Sequence, residues 1–253
     1  MIALRSLAFN LALYLFTAPM AIFGLPVMLM PRRWAAIFGA AWAAGVLKIL
    51  GWCTGLTHEV RGRENLPDGA AIIAMKHQSA WDTFALTVIF DDPAIVLKKE
   101  LMLVPFYGWY LWKAGMIAID RSAGASALRT MVAAAQRAVS AGRPIVIFPE
   151  GTRTAVGSRR PYQPGVAALY RQLDAPLVPV AVNSGLYWAR RAFTKRPGRI
   201  IVEILPAIPP GRERRAVMAE LEERIEAATA RLIAEAENQR ALSLGNRRGG
   251  SYA

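Results

Sequence analysis

Two short polar clusters in this chain hold the residue types needed for proton transfer and anion binding. The first is Lys76-His77-Gln78-Ser79-Ala80-Trp81-Asp82 and the second is Phe148-Pro149-Glu150-Gly151-Thr152-Arg153. Each directly follows an apolar run, Ala70–Met75 and Pro144–Ile147, and such β-branched runs read as buried strands. His77 and Asp82 are five apart, a spacing that does not share a face of one helix. With His77 in the turn before a helix and Asp82 in its first turn, the carboxylate can reach back to the ring. One imidazole nitrogen then takes a hydroxyl proton while Asp82 holds the other nitrogen and stabilises the imidazolium that forms. A plainer reading competes, because Ser79-x-x-Asp82 is also a capping box. In the second cluster Gly151 allows a tight turn or a close ligand approach, and Arg153 offers a planar donor fork suited to phosphate.

No nucleophile completes a triad. There is no Gly-x-Ser-x-Gly elbow, and the single cysteine, Cys53, lies in an apolar N-terminal stretch. The attacking group is therefore expected to be the substrate's own hydroxyl. One cysteine and two histidines, His58 and His77, leave no set for a disulfide or a histidine-built metal site. His58 reads as an ordinary surface residue on the polar side of a first strand.

The elements that must position these clusters alternate. Strands are expected at Thr57–Arg61, Ala70–Met75, Ala94–Leu97, Gly115–Ile119, Pro144–Phe148, Leu177–Val182 and Arg199–Leu205. Helices are expected at Ala80–Phe90, up to Trp112, and at Ser126–Ser140, Gly165–Leu173 and Arg212–Arg240. Pro179 suggests an edge strand or a bulge. This alternation predicts an α/β fold, a mixed, mostly parallel sheet flanked by helices, in which ligands gather beyond the carboxyl ends of strands. A Gly/Arg/Ser-rich stretch from Gly245 reads as a flexible tail.

The 253 residues are 54% hydrophobic and carry a net charge of +13, which calls for an anionic partner. Residues 1–56 contain four basic residues and no acid. Leu7–Met30 and Trp34–Leu56 are each apolar and long enough to cross a bilayer. The first is too long for a signal peptide and lacks a clear cleavage site. As a spanning pair they would put Arg32 and Arg33 outside, against the positive-inside bias, and Lys48 inside the second span. The expectation is a helical hairpin over 1–56, sunk into one leaflet with its arginines at the headgroups, joined to an α/β domain over 57–253. A basic face beside an apolar anchor suits a lipid surface, and no nucleic-acid motif is present.

The ordered motifs resemble those of the glycerolipid acyltransferases. His77-x-x-x-x-Asp82 looks like the first motif and Phe148–Arg153 like the third. Lys98-Lys99-Glu100-Leu101, Pro105-Phe106-x-Gly108 and Gly115 to Ile119-Asp120-Arg121 resemble the second block, and Val178-Pro179-Val180 the fourth. The resemblance covers roughly residues 57–183 and is nearest the 1-acyl-glycerol-3-phosphate acyltransferase type. It implies His77 as base and Asp82 as its orienter. It implies an acceptor site of Glu150, Gly151, Thr152 and Arg153, phosphate contacts from Arg153 and Lys98, and a pocket shaped by Pro179. It further implies direct acyl transfer from acyl-CoA or acyl carrier protein to the sn-2 hydroxyl of 1-acyl-glycerol-3-phosphate, giving phosphatidic acid. No metal or cofactor is needed, and the work is done at the cytoplasmic face of the inner or plasma membrane. Lys76 stands where the family often has asparagine, and Tyr162-Gln163-Pro164-Gly165 lacks the basic residues usual before that glycine. The rival readings are another lysolipid acceptor such as a lyso-ornithine lipid, a hydrolase using water, and a non-catalytic membrane lipid-binding protein.

Overall fold

The computed structural model describes the backbone of residues 1–249 and the side chains of residues 1–242. Strands β1 (Leu56–Arg61), β2 (Ile72–Met75), β3 (Ala94–Lys98), β4 (Ile117–Ile119), β5 (Ile145–Ile147), β6 (Leu177–Val182) and β7 (Gly198–Ile204) form one sheet in the order β1-β7-β6-β2-β5-β3-β4. All neighbours are parallel except β6 and β7. The helices are α1 (Ile2–Phe23), α2 (Arg32–Thr54), α3 (Ala80–Ile89), α4 (Tyr107–Lys113), α5 (Gly124–Ser140), α6 (Pro164–Gln172) and α7 (Arg214–Gly249). The tail expected from Gly245 is helical as far as Gly249, and residues 250–253 lie outside the described residues.

The period of two along each strand divides the core into two layers. Ile73 and Met75 of β2 pack with Trp81, Ala85 and Leu86 of α3 and with Val46 and Leu50 of α2. Ile72 and Ala74 face the opposite layer, with Met131 of α5, Leu169 of α6 and Leu221 and Ile225 of α7. Because α2 fills the same core as α3, the change of texture at residue 56 does not separate two cores. Phe9 of α1 is also fully buried there.

The hairpin lies along the domain and is tied at both ends. Arg32, which opens α2, pairs with Asp92 at 2.7 Å, so it faces the domain instead of a headgroup layer. Arg33 remains exposed. At the other end of α2, Arg5 of α1 donates to the Cys53 carbonyl at 3.0 Å. Along α1, the Lys195 backbone donates to Ser6 at 2.9 Å and the Tyr110 hydroxyl donates to the Ala21 carbonyl at 2.9 Å. Both helices are long and apolar enough to cross a membrane by length and composition. Lys48 is exposed, with its ammonium 5.6 Å from the Trp52 ring centre.

Pro179 is buried inside the sheet, opposite Ala74 of β2, so the edge alternative does not hold. The bulge alternative does. Leu177 opposes Ile208, and three residues later Val180 opposes Ile204, four residues back. The extra residue lies where Pro179 has no N–H to offer, and its carbonyl accepts from Leu205 at 2.9 Å. Gly108 is required for packing: a Cβ there would lie 2.1 Å from the Met102 carbonyl oxygen.

Removing buried bulk from the hairpin should therefore unsettle the whole domain. Leu50→Ala is expected to cost about 2–5 kcal/mol, lowering the melting temperature by roughly 5–15 °C. Leu11→Ala, at an exposed position of α1, should leave it within about 2 °C. Equal, small shifts in the two variants would show that the hairpin does not share the core.

Candidate active site

The two clusters meet at the carboxyl ends of β2 and β5, neighbours at the centre of the sheet. After Met75 the chain stays extended until Ser79, which caps α3 by accepting from the Trp81 N–H at 3.1 Å. Asp82 is the third residue of α3 and is fully buried. Its Oδ2 lies 2.8 Å from His77 Nδ1, and it accepts from the Gln78 and Ser79 N–H groups, each at 2.8 Å. One oxygen atom of Asp82 therefore makes both contacts that the sequence allows: it completes the capping box and it lies within hydrogen-bond distance of the histidine ring. A carboxylate at Nδ1 fixes the ring's donor there, leaving Nε2 as the acceptor. The His77 ring also stacks on Phe148, with centroids 3.8 Å apart and planes 15° apart. The ring is 10% exposed, so a substrate reaches one edge of it.

The second cluster turns at Gly151, which has φ of +67°. A Cβ there would meet the Gln163 side chain at 3.1 Å as well as being strained. The turn is fastened to the first cluster by Thr154, whose N–H donates to the His77 carbonyl at 2.8 Å. Its hydroxyl lies 3.1 Å from that carbonyl and 3.1 Å from Glu150 Oε2.

The expected acceptor residues divide. Thr152 and Arg153 are half-buried, and Arg153 makes no hydrogen bond or ion pair among the described residues. Lys98 ends β3, exposed and also unpaired, two strands from β2, so about 10 Å across the sheet at 4.8 Å per strand. The Glu150 carboxylate turns the other way. It is buried and engaged by Lys76 at 2.8 Å and by Thr154. Burial pushes its carboxyl above the usual range, against the opposing pull of Lys76. Pro179 belongs to the core below the site and reaches no open surface. His58 is exposed and rests near the Trp81 ring.

Two features carried no sequence signal. Gln78 reaches the loop after β6, where its Oε1 accepts from the Gly185 N–H at 3.1 Å. An apolar cavity of about 560 Å³ runs between the hairpin and α3–α4. Small residues of α2, including Ala36, Gly39, Ala40 and Ala43, leave the space, and Thr83, Phe106 and Tyr110 close its other walls. Its size is that of small-molecule sites, about 300–1,000 Å³. Among the described residues no group of histidine, cysteine and acids is arranged to hold a metal ion.

The family model described as Acyltransferase matches residues 57–183. The 1-acyl-sn-glycerol-3-phosphate acyltransferase of Pseudomonas aeruginosa is 37% identical over 87% of this chain and 82% of its own length. The enzyme of the same name from Saccharomyces cerevisiae is 35% identical over 61% of this chain and 52% of its own length. The crystal structure of the 1-acyl-sn-glycerophosphate acyltransferase PlsC from Thermotoga maritima superposes with a TM-score of 0.75 over 92% of this chain and 98% of that one. At 20% identity that likeness speaks for the fold. A fold shared along almost its full length, a family model spanning both polar clusters and a relative similar over most of the chain lead to one conclusion: this chain belongs to the acyltransferase family.

Proposed function

We propose that the protein transfers a fatty acyl group from acyl-CoA or an acyl carrier protein thioester to the sn-2 hydroxyl of 1-acyl-glycerol-3-phosphate, producing phosphatidic acid. The observation that carries this reading is the His77–Asp82 pair at the strand ends, with no serine or cysteine side chain hydrogen-bonded to the His77 ring among the described residues. His77 Nε2 takes the acceptor's hydroxyl proton as that oxygen attacks the thioester carbonyl carbon. The C–S bond of the tetrahedral intermediate then breaks, and the imidazolium returns the proton to the departing thiolate. Asp82 stabilises the imidazolium between these steps. The half-buried, unpaired Arg153 and the exposed Lys98 supply positive charge for the acceptor's phosphate. The relatives' shared name supports the acceptor's identity.

The cavity beside α3 takes an acyl chain, and the hairpin brings that chain from the bilayer. Leu4, Leu7, Leu15, Phe23, Leu29 and Trp34 form an exposed apolar surface on the hairpin, of the kind that enters a membrane interface. Helices of 22 and 23 residues are about 33–35 Å long. With both ends tied to one domain, they cannot place their ends on opposite sides of a hydrocarbon layer of about 30 Å. The hairpin therefore lies in one leaflet, with the domain at the cytoplasmic surface, where the acyl thioesters are made.

Two substitutions at the dyad test this reading with purified enzyme, lysophosphatidic acid and acyl-CoA in mixed micelles. His77→Ala should lower kcat about 10²–10⁴-fold. Asp82→Asn keeps an oxygen for the helix cap but loses the charge facing the imidazolium, so kcat should fall on the same scale while the melting temperature moves little. Retained turnover in both would remove the dyad from the mechanism.

Arg153→Lys keeps the charge and loses the bidentate fork. It should raise the KM for lysophosphatidic acid about tenfold or more and spare the KM for acyl-CoA. An equal loss toward a phosphate-free lysolipid would dismiss the phosphate contact.

Gly39 lines the cavity and a Cβ there meets nothing within 4 Å, so Gly39→Leu is the substitution chosen to fill it. The preferred acyl chain should shorten by several carbons, measured by competition among acyl-CoAs of different length. An unchanged preference would mean that the chain lies elsewhere.

A further inference from the structure

Lys76 and His77 leave the end of β2 on opposite faces of the sheet, as neighbours in a strand must. His77 turns to the reacting side. Lys76 turns toward α7 and is 1% exposed, with no part in the proton transfer. Its ammonium lies 2.8 Å from Glu150 Oε1 and 2.7 Å from Glu226 Oε1. Glu226 belongs to α7, 150 residues away in sequence and in the layer opposite α3. Its carboxylate is also reached by the Tyr162 hydroxyl at 3.3 Å, and Arg159 approaches from the solvent side at 3.9 Å. Glu150 continues the connection through Thr154 to the His77 carbonyl.

A continuous polar chain thus runs from the C-terminal helix, through a buried lysine, to the backbone of the catalytic histidine. Buried ion clusters add little net stability, since apolar side chains of equal volume do as well or better. What such a cluster adds is geometry, because charges in a low dielectric tolerate few arrangements. Here the fixed relation is between the turn that carries His77 and the turn that carries Arg153.

We infer that Lys76, Glu150 and Glu226 are positioning residues, through which α7 holds the two catalytic turns in the register that aims His77 Nε2 at the acceptor. The inference rests on His77 acting as general base. It removes Glu150 from direct acceptor contact and gives the C-terminal helix a part in turnover. Small displacements of a reacting group are costly, with about 1 Å worth up to 10²-fold in rate.

The test uses the full-length enzyme carrying Glu226→Gln, Glu226→Asp, Lys76→Met or Glu150→Gln. Kinetics with lysophosphatidic acid and acyl-CoA are joined to melting temperatures and to imidazole nitrogen NMR. The chain has two histidines, so His58 serves as the internal reference for His77. Glu226→Gln should lower kcat about 10–100-fold with acceptor KM within about threefold. The His77 signals should move while those of His58 stay, and Glu226→Asp should recover part of the rate. Glu226→Gln leaves the Lys76–Glu150 pair intact, so it carries the test if Lys76→Met does not fold. Three results would each overturn the inference: unchanged kcat in folded Glu226→Gln, a raised acceptor KM without loss of kcat, or a lowered kcat with unmoved His77 signals. His77→Ala in the same assay separates the two questions. Activity retained there defeats the general-base reading, whereas the NMR displacement tests the positioning alone.

Discussion

A single carboxylate oxygen organises the candidate active site. Asp82 Oδ2 receives three N–H groups, two from the backbone that begins α3 and one from the ring of His77. The helix start and the histidine's aim are therefore one constraint. A shift of α3 along its axis would turn the imidazole, and a turned imidazole would open the first turn of the helix. The strand before this turn is held in the sheet's centre, between β5 and β6, and α3 is wedged against α2 by the Trp81, Leu86, Val46 and Leu50 cluster. The packing of the N-terminal hairpin thus bears on the geometry of the base, though no hairpin residue reaches it.

The site's charges are arranged by burial. Lys76, paired with the buried Glu150 and Glu226, lies inside and holds structure. Arg153 is half-buried and makes no ion pair among the described residues. A guanidinium in that setting has lost part of its water without gaining a counterion, an arrangement that the phosphate contact proposed above would complete. The same logic explains the apolar side. The cavity walls and the hairpin's outer face form surfaces that water solvates poorly, and the lipid substrate proposed above would contact both.

The local parts of this design were legible in the sequence. The His77–Asp82 relation spans five residues and follows from strand, turn and cap rules. Its two readings looked like competitors because a motif does not reveal that one oxygen can serve both. The strand and helix order was legible from apolar runs and turn residues. The bulge at Pro179 was named as one of two options, and only the pairing of β6 with β2 and β7 excludes an edge. Other features depend on contacts between distant segments. Lys76 stood out only as a departure from the usual asparagine, since its partner Glu226 lies on a helix whose inward face is not marked by charge. Glu150 was read with its neighbours as a substrate residue, and motif spacing does not show that its carboxylate takes the face toward Lys76. Arg32 was read as a headgroup contact, and its pairing with Asp92 needs α2 to lie along the domain. The cavity arises from small residues on α2 opposite larger ones on α3 and α4, a complementarity between surfaces with no local signature.

The stack of Phe148 on His77 limits the imidazole in another way. With one face covered by an aromatic plane at 3.8 Å and Nδ1 tethered to Asp82, the ring cannot turn over between the two halves of the reaction. In the general-base mechanism proposed above, the nitrogen that collects the proton is therefore the one that surrenders it. Alcohol and thiol would occupy the same side of the ring in succession, and the departing sulfur would swing toward the place the hydroxyl has just left. A ring held in this way offers one proton port.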